Sequence, residues 1–158
     1  TKLTHAEQTR VFRRIPGLEE VDFLRLGSIH RNTYVHAPRV LQPTLEMRSA
    51  PGVYLAGQIT GVEGYIESAA CGLWLGMFLA GTCQHAEIAF PPQETALGGL
   101  LNHLQTSQTH FQPMNVNFGL LPPLKQRMKK AKRKEAYVLR AQRVWKEWQA
   151  QLPPEWRS

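Results

Sequence analysis

The sequence predicts an α/β fold on three observations. Residues 53–82 read as a short apolar strand, a turn holding three glycines in eight residues, and a helix of small side chains. Residues 21–29, "VDFLRLGSI", alternate in the manner of a half-buried strand. Apolar residues at three- and four-residue spacing recur towards the C-terminus, as an amphipathic helix requires.

Each element has a local reason. Thr4 and Glu7 stand at capping-box spacing, so a helix starts at His5. Pro16 and Gly17 end it. The strand at 21–29 leads into "RNTYVHAP", which stays extended towards Pro38 because a residue before proline avoids the helical region. "PTLEMRSAPG" is a connection with a turn at Pro51-Gly52, and Val53–Ala56 form a short buried strand. Gly57–Gly64 make the glycine turn, and helices follow at 65–82 and about 94–106. Residues 107–124, "SQTHFQPMNVNFGLLPPL", are aperiodic and wrap a surface, and a last long helix covers about 123–150. No internal repeat is present.

Composition narrows the class. With 158 residues and an apolar share of 42%, the chain suits one ordinary globular domain. Nineteen Lys and Arg against twelve Asp and Glu leave a formal charge of +7, unevenly distributed, which favours an anionic partner. The longest apolar run, "AACGLWLGMFLAG" at 69–81, is too short to span a bilayer, so no membrane is expected. Cys71 and Cys83 make neither a disulfide framework nor a metal set, and both read as small apolar packing residues. With no signal segment at its start, the chain fits a reducing, cytoplasmic setting. It opens on Thr1 in sequence that already reads as helix, the expectation for the later part of a longer protein.

The turn at 57–64 carries the chemical interest. Glycine there can take positive φ or let a ligand lie against the backbone. The first N–H groups of the following helix have no intrahelical partners, and with the macrodipole they favour a partially negative group. Ser68, Ala69, Gly72 and Gly76 allow the helix to sit close to a neighbour, although each glycine costs the helix roughly 1 kcal/mol. A plain strand–turn–helix joint reads equally well from the pattern, and no GxGxxG fingerprint occurs.

Four stretches, in order and spanning essentially the whole chain, carry a family resemblance. "TLEMRSAPGVYLAGQITGVEGYIESAACG" resembles the C-terminal flavin segment of the GidA-like tRNA-modifying flavoproteins. "KLTHAEQTRVFRRIPGLEE", "GSIHRNTYV" and "FQPMNVNFGLLPPLK" resemble its folate- and FAD-dependent tRNA (uracil-5-)-methyltransferase branch. The resemblance implies a glutathione-reductase-like FAD-binding fold, with residues 1–48 the end of an inserted α/β domain. Residues 49–158 would be the returning C-terminal part of the FAD domain with its C-terminal helices. It implies FAD as cofactor, methylenetetrahydrofolate and NAD(P)H as co-substrates, and tRNA and the N-terminal part of the same protein as partners. By the same carry-over Gly57, Gln58, Ile59, Gly61, Glu63, Gly64 and Tyr65 are flavin-site candidates, under the isoalloxazine and at the helix N-terminus. The family's important cysteines lie in its N-terminal flavin half and inserted domain. Neither Cys71 nor Cys83 matches them, so no catalytic residue is assigned to this chain, which alone is expected to be inactive.

His30, Arg31, Asn32 and Tyr34 place polar groups and an aromatic in an extended segment, either as a wall of the folate or flavin pocket or as a satisfied sheet edge. Asn115, Asn117 and Phe118 have the same two readings. The C-terminal helix concentrates cations, with Lys129, Lys130, Arg133 and Lys134 as candidates for tRNA phosphates. A solvated charged face is the alternative. An inward stripe runs through Leu124, Met128, Ala131, Val138, Ala141, Trp145, Trp148 and Leu152. Two other functions stay open: the sister enzyme that makes 5-carboxymethylaminomethyl uridine, and a non-catalytic basic RNA-binding module.

Overall fold

The computed structural model describes residues 3–27, 32–125 and 128–157, without the side chains of Lys130 and Glu155. The chain forms two compact units, Thr1–Asn32 and Thr33–Ser158. The expected boundary at residue 48 falls in the turn of a hairpin of the second unit.

In the first unit, helix α1 spans His5–Phe12, and the Thr4 hydroxyl accepts from the Glu7 N–H at 3.3 Å, as the capping spacing requires. The expected strand at 21–29 is not formed over residues 21–27, and Leu24 is fully exposed. The physical reason is that no strand lies beside it among the described residues. A side chain takes the place of one. The buried Gln8 amide accepts from Gly27 N–H at 2.7 Å and donates to the Gly27 and Leu3 carbonyls at 2.8 Å.

The second unit is mixed α/β and mostly helical. A single turn, α2 (Ala37–Val40), follows the extended residues 33–36. Strands β1 (Glu46–Met47) and β2 (Ala50–Tyr54) pair antiparallel, with Glu46 opposite Tyr54. The hairpin therefore turns at residues 48–49 and not at Pro51-Gly52, which lies within β2. Gly52 has φ +83° and donates its N–H to the Glu46 carboxylate at 2.7 Å. The strand expected buried at 53–56 is displaced towards the N-terminus and open, with Val53 45% exposed, because β1 is its one described neighbour.

Helix α3 (Tyr65–Cys83) and helix α4 (Ala96–Gln105) agree with expectation to within about two residues. The Thr95 hydroxyl caps α4 by accepting from Gly98 N–H at 3.0 Å while donating to the Pro92 carbonyl at 2.7 Å. The core joins Cys71, Trp74 and Leu75 of α3 to Leu100, Leu101 and Leu104 of α4. Trp74 packs on Phe78 and Phe90 with centroids 5.6 and 4.9 Å apart. Full burial of an apolar side chain of this size contributes about 1.5–3 kcal/mol.

Helix α5 spans Lys130–Gln149, starting later than the expected 123. Pro122 and Pro123 hold the preceding chain extended, and their carbonyls accept from the Arg140 guanidinium at 2.6 and 3.1 Å. The helix also opens on cations with no acidic residue in its first turn, a charge order that opposes the macrodipole. Its inward stripe is buried in the C-terminal half alone. Trp148 and Leu152 are buried and Trp148 donates to the Ala89 carbonyl at 2.9 Å, whereas Met128, Ala131 and Val138 are exposed. By length and composition α3 is the one described helix apolar enough to cross a membrane, more so than the run at 69–81 suggests, and 22% of it is buried.

Candidate functional site: the glycine turn and its strap

β2 delivers the chain into a short 3-10 turn, Gly57–Thr60, which runs through Gly61 and Gly64 into α3. Gly57, Gly61 and Gly64 have φ of +73°, +94° and +101°, a region that side chains other than glycine rarely adopt. Their immediate partners belong to the chain itself. A Cβ on Gly57 would lie 3.3 Å from the Ser68 Cβ, one on Gly61 would strike the Phe111 ring at 2.6 Å, and one on Gly64 would strike the Glu67 carboxylate. The three glycines thus have a reason in the backbone and its packing whatever else lies against them.

Below the turn, the buried Thr60 hydroxyl donates to the Gly57 carbonyl at 2.6 Å. Cys71 is fully buried there; burial pushes its thiol pKa up, partly offset by a backbone hydrogen bond from Gly57. It is a packing residue, as expected. Cys83, at the end of α3, is exposed and free, which departs from its expected packing role. Among the described residues no cluster of His, Cys, Asp or Glu could hold a metal.

Two segments distant in sequence hold the turn from its sides. Val35 N–H donates to the Ile59 carbonyl at 2.8 Å. Met114 N–H donates to the Gly61 carbonyl and Glu63 N–H donates to the Met114 carbonyl, both at 3.0 Å, closing a parallel bridge between Val62 and Met114. Residues 111–118 therefore form a strap across the turn. Phe111 anchors it, buried beneath Gly61 and packed on His103 at 5.3 Å, His36 at 5.4 Å and Tyr34 at 6.2 Å. His103 Nε2–H donates to the Gln112 carbonyl at 3.1 Å and its Nδ1 accepts from Gln108 at 3.2 Å, tying the strap to α4. At its other end Phe118 packs on Tyr137 of α5 at 5.6 Å.

The outer side of the turn is open. Gln58, Gly64 and Tyr65 are exposed, Tyr65 at 97%, while Ile59 and Glu63 are half-buried. The N-cap residue Gly64 offers no side-chain cap, so the first N–H groups of α3 have no intrahelical partner at the positive end of the helix dipole. Glu67, in the first turn, offsets part of that field. Gly57 and Gly61 are buried, so the open part of the turn is Gln58 and the Gly64–Tyr65 start of α3.

Tyr34 reaches the turn through Phe111, whereas Asn32 belongs to the first unit and is exposed. His30 and Arg31 lie outside the described residues. Asn117 spends its side chain locally, accepting from Gly119 N–H at 2.9 Å and donating to the Asn115 carbonyl at 3.1 Å. Lys129, Arg133 and Lys134 are exposed at the start of α5, which begins at Lys130. Sequence reasoning missed Phe111, Thr60 and His36. The two ring nitrogens of His36 are buried with no hydrogen-bond partner among the described residues. A buried aromatic in an irregular stretch beside histidines was the one available signal for Phe111.

The strand–turn–helix is strapped from a distant loop, and comparison with known proteins assigns the class of the chain that carries it. Residues 1–87 match the model of the glucose inhibited division protein A family, and the chain belongs to that family. Within curated proteins it is 58% identical over 151 residues to the methylenetetrahydrofolate–tRNA-(uracil-5-)-methyltransferase TrmFO of Nitratidesulfovibrio vulgaris, covering 96% of this chain and 32% of that protein. It is 54% identical over 158 residues to the protein of the same name from Oleidesulfovibrio alaskensis, covering 100% of this chain and 35% of the relative. The Syntrophotalea carbinolica protein of that name is 51% identical over 154 residues, covering 96% and 34%. The chain spans about a third of the length of these relatives.

Proposed function

We propose that this chain is the C-terminal part of a cytoplasmic, folate- and FAD-dependent tRNA (uracil-5-)-methyltransferase with a glutathione-reductase-like FAD domain. The observation that carries the reading is identity above 50% over nearly the whole chain to three proteins of that name. Bound FAD would supply redox chemistry, linking the electrons of NAD(P)H to reduction of the one-carbon unit that methylenetetrahydrofolate would bring to uracil C5.

The residues of this chain bind and orient. Gly57, Gln58, Ile59, Gly61, Glu63, Gly64 and Tyr65 form the bed for the isoalloxazine, held flat by Thr60 from below and by the strap from the side. The uncapped N–H groups of α3 meet the pyrimidine edge, where negative charge accumulates on reduction. Tyr34, which packs on Phe111 beside the turn, lines the folate or flavin pocket; for His30, Arg31 and Asn32 the same role rests on the sequence resemblance alone. Lys129, Lys130, Arg133 and Lys134 meet tRNA phosphates, a role supported by the exposure of Lys129, Arg133 and Lys134 at the start of α5. Such contacts add affinity without choosing sequence. The first unit, to Asn32, belongs to the inserted domain and the second, from Thr33, to the FAD domain, because a boundary at residue 48 would divide the β1–β2 hairpin.

The test uses the full-length protein and a tRNA transcript bearing the T-loop uracil. Methyl transfer to C5 that requires methylenetetrahydrofolate and NAD(P)H is the expected result. Folate-independent methylation, or modification confined to another loop, would refute the assignment.

A further inference from the structure

All four tryptophans of the chain line one cavity. It has a volume of about 460 Å³ and lies within the second unit, where α3, α4 and the end of α5 meet the short turn Pro154–Trp156. Trp74 and Trp148 are buried, Trp145 and Trp156 are half-buried, and Trp145 packs on Trp148 with ring centroids 4.7 Å apart. The rest of the lining is apolar apart from Gln149, whose amide can both donate and accept. One polar group at this cavity lacks a partner. Trp74 is 1% exposed, and its indole N–H meets no acceptor among the described residues. A buried indole N–H ordinarily finds one, as that of Trp148 does on the Ala89 carbonyl.

We propose that this cavity takes an unpaired nucleobase of the tRNA, a second base distinct from the uracil that is methylated. Charge selects a nucleic acid as the occupant. Eleven of the nineteen Lys and Arg, against three of the twelve acidic residues, lie in residues 123–158, together with three of the four tryptophans. Cations for the backbone beside aromatic faces for a base are the combination by which unpaired RNA is held. The volume is that of a small-ligand site. A base offers flat faces to Trp145 and Trp156 and, at its edge, acceptors for the Trp74 N–H and the Gln149 amide. An aliphatic occupant would leave the indole donor unpaired, at the cost of its desolvation. Trp74 stands nine residues into α3, about 14 Å along the helix from Tyr65, which separates this base from one presented at the glycine turn. The inference rests on tRNA being the substrate, as proposed above.

Full-length protein carrying Trp145→Leu or Trp156→Leu tests it, with Kd measured for an unmodified tRNA transcript and for heparin, a polyanion without bases. Each variant is expected to raise the Kd for tRNA about fivefold or more, the lower end of what one base–aromatic stack contributes. Affinity for heparin and the dependence of log Kd on log salt should match the wild type, since a stacked base releases no counterions. Trp145→Phe keeps a ring face and should recover most of the affinity. A smaller rise for tRNA in both leucine variants overturns the inference. An equal loss for heparin would show that the tryptophans only hold α5 in place. A lowered Tm with unchanged tRNA affinity would give the cavity to packing within the protein, and a Tm loss that grows on dilution would give it to a second copy. Each of those results refutes the stated occupant. Should Trp145→Leu not fold, Trp156→Leu decides by the same comparison. Binding is read without methyl transfer, so failure of this pocket and failure of the proposed reaction are told apart.

Discussion

Gly61 shows how much one missing Cβ decides. Its φ of +94° lies in the left-handed half of conformational space, and the Phe111 ring occupies the place a side chain would take. Gly61→Ala combines the left-handed penalty of roughly 1–2 kcal/mol with overpacking of roughly 1–3 kcal/mol. Denaturant unfolding of the full-length protein should register a loss of about 2–5 kcal/mol; a loss under about 1 kcal/mol would mean that the ring is free to move aside. Cys71 makes a second residue-scale case. Burial raises its pKa in the folded state, so the folded chain keeps a thiol proton that the unfolded chain releases. Its contribution is full below the ordinary cysteine pKa of about 8.5 and declines as pH rises through that value towards the raised one. Stability measured from pH 7.5 to 10 should therefore fall less steeply in Cys71→Ala than in the wild type. Parallel profiles would show that the thiol does not titrate with folding.

Among the elements, the strap and α5 contribute in different ways. The strap reaches the turn by two backbone hydrogen bonds and α4 by a histidine, so the turn inherits rigidity from a helix with which it shares no sequence neighbourhood. Helix α5 is anchored by Trp148 and Arg140, and its cationic start is exposed. Replacing Lys129, Lys130, Arg133 and Lys134 with Gln removes four charges at nearly constant helix propensity. In the full-length protein tRNA affinity should fall, and log Kd should depend less steeply on log salt because fewer counterions are released. Flavin content and NAD(P)H oxidation without tRNA should stay as in the wild type. An unchanged salt slope would return these side chains to a purely solvating role.

At the scale of the molecule, the proposed FAD site would have one side in this chain. The chain contains the turn and the uncapped helix end but no GxGxxG loop to take a pyrophosphate. The isolated 158 residues should accordingly bind FAD weakly or not at all, even where circular dichroism shows the helices formed. A stoichiometric, submicromolar fluorescence titration with this chain alone would place the whole cofactor site within it.

Local physics made much of this legible from residues alone. The Thr4 cap, the boundaries of α3, the positive-φ demand of the glycine turn and the family membership all depend on neighbours in sequence or on its order. The start of α5 was misread because helical periodicity continues through 123–129, while the carbonyl contacts to Arg140 and the unfavourable charge at the helix start outweigh it. The strand expected at 21–29 does not form over 21–27 because alternation supplies a face but no partner among the described residues, and a strand requires both. Only the tertiary structure decided that Met114 bridges Val62, that Phe111 fills the space beneath Gly61, and that Cys71 is buried while Cys83 is not. Each of those facts is a contact, or the lack of one, between residues far apart along the chain. Periodicity and propensity act over a few residues, so they determine which elements can form, whereas packing between distant segments determines which groups meet.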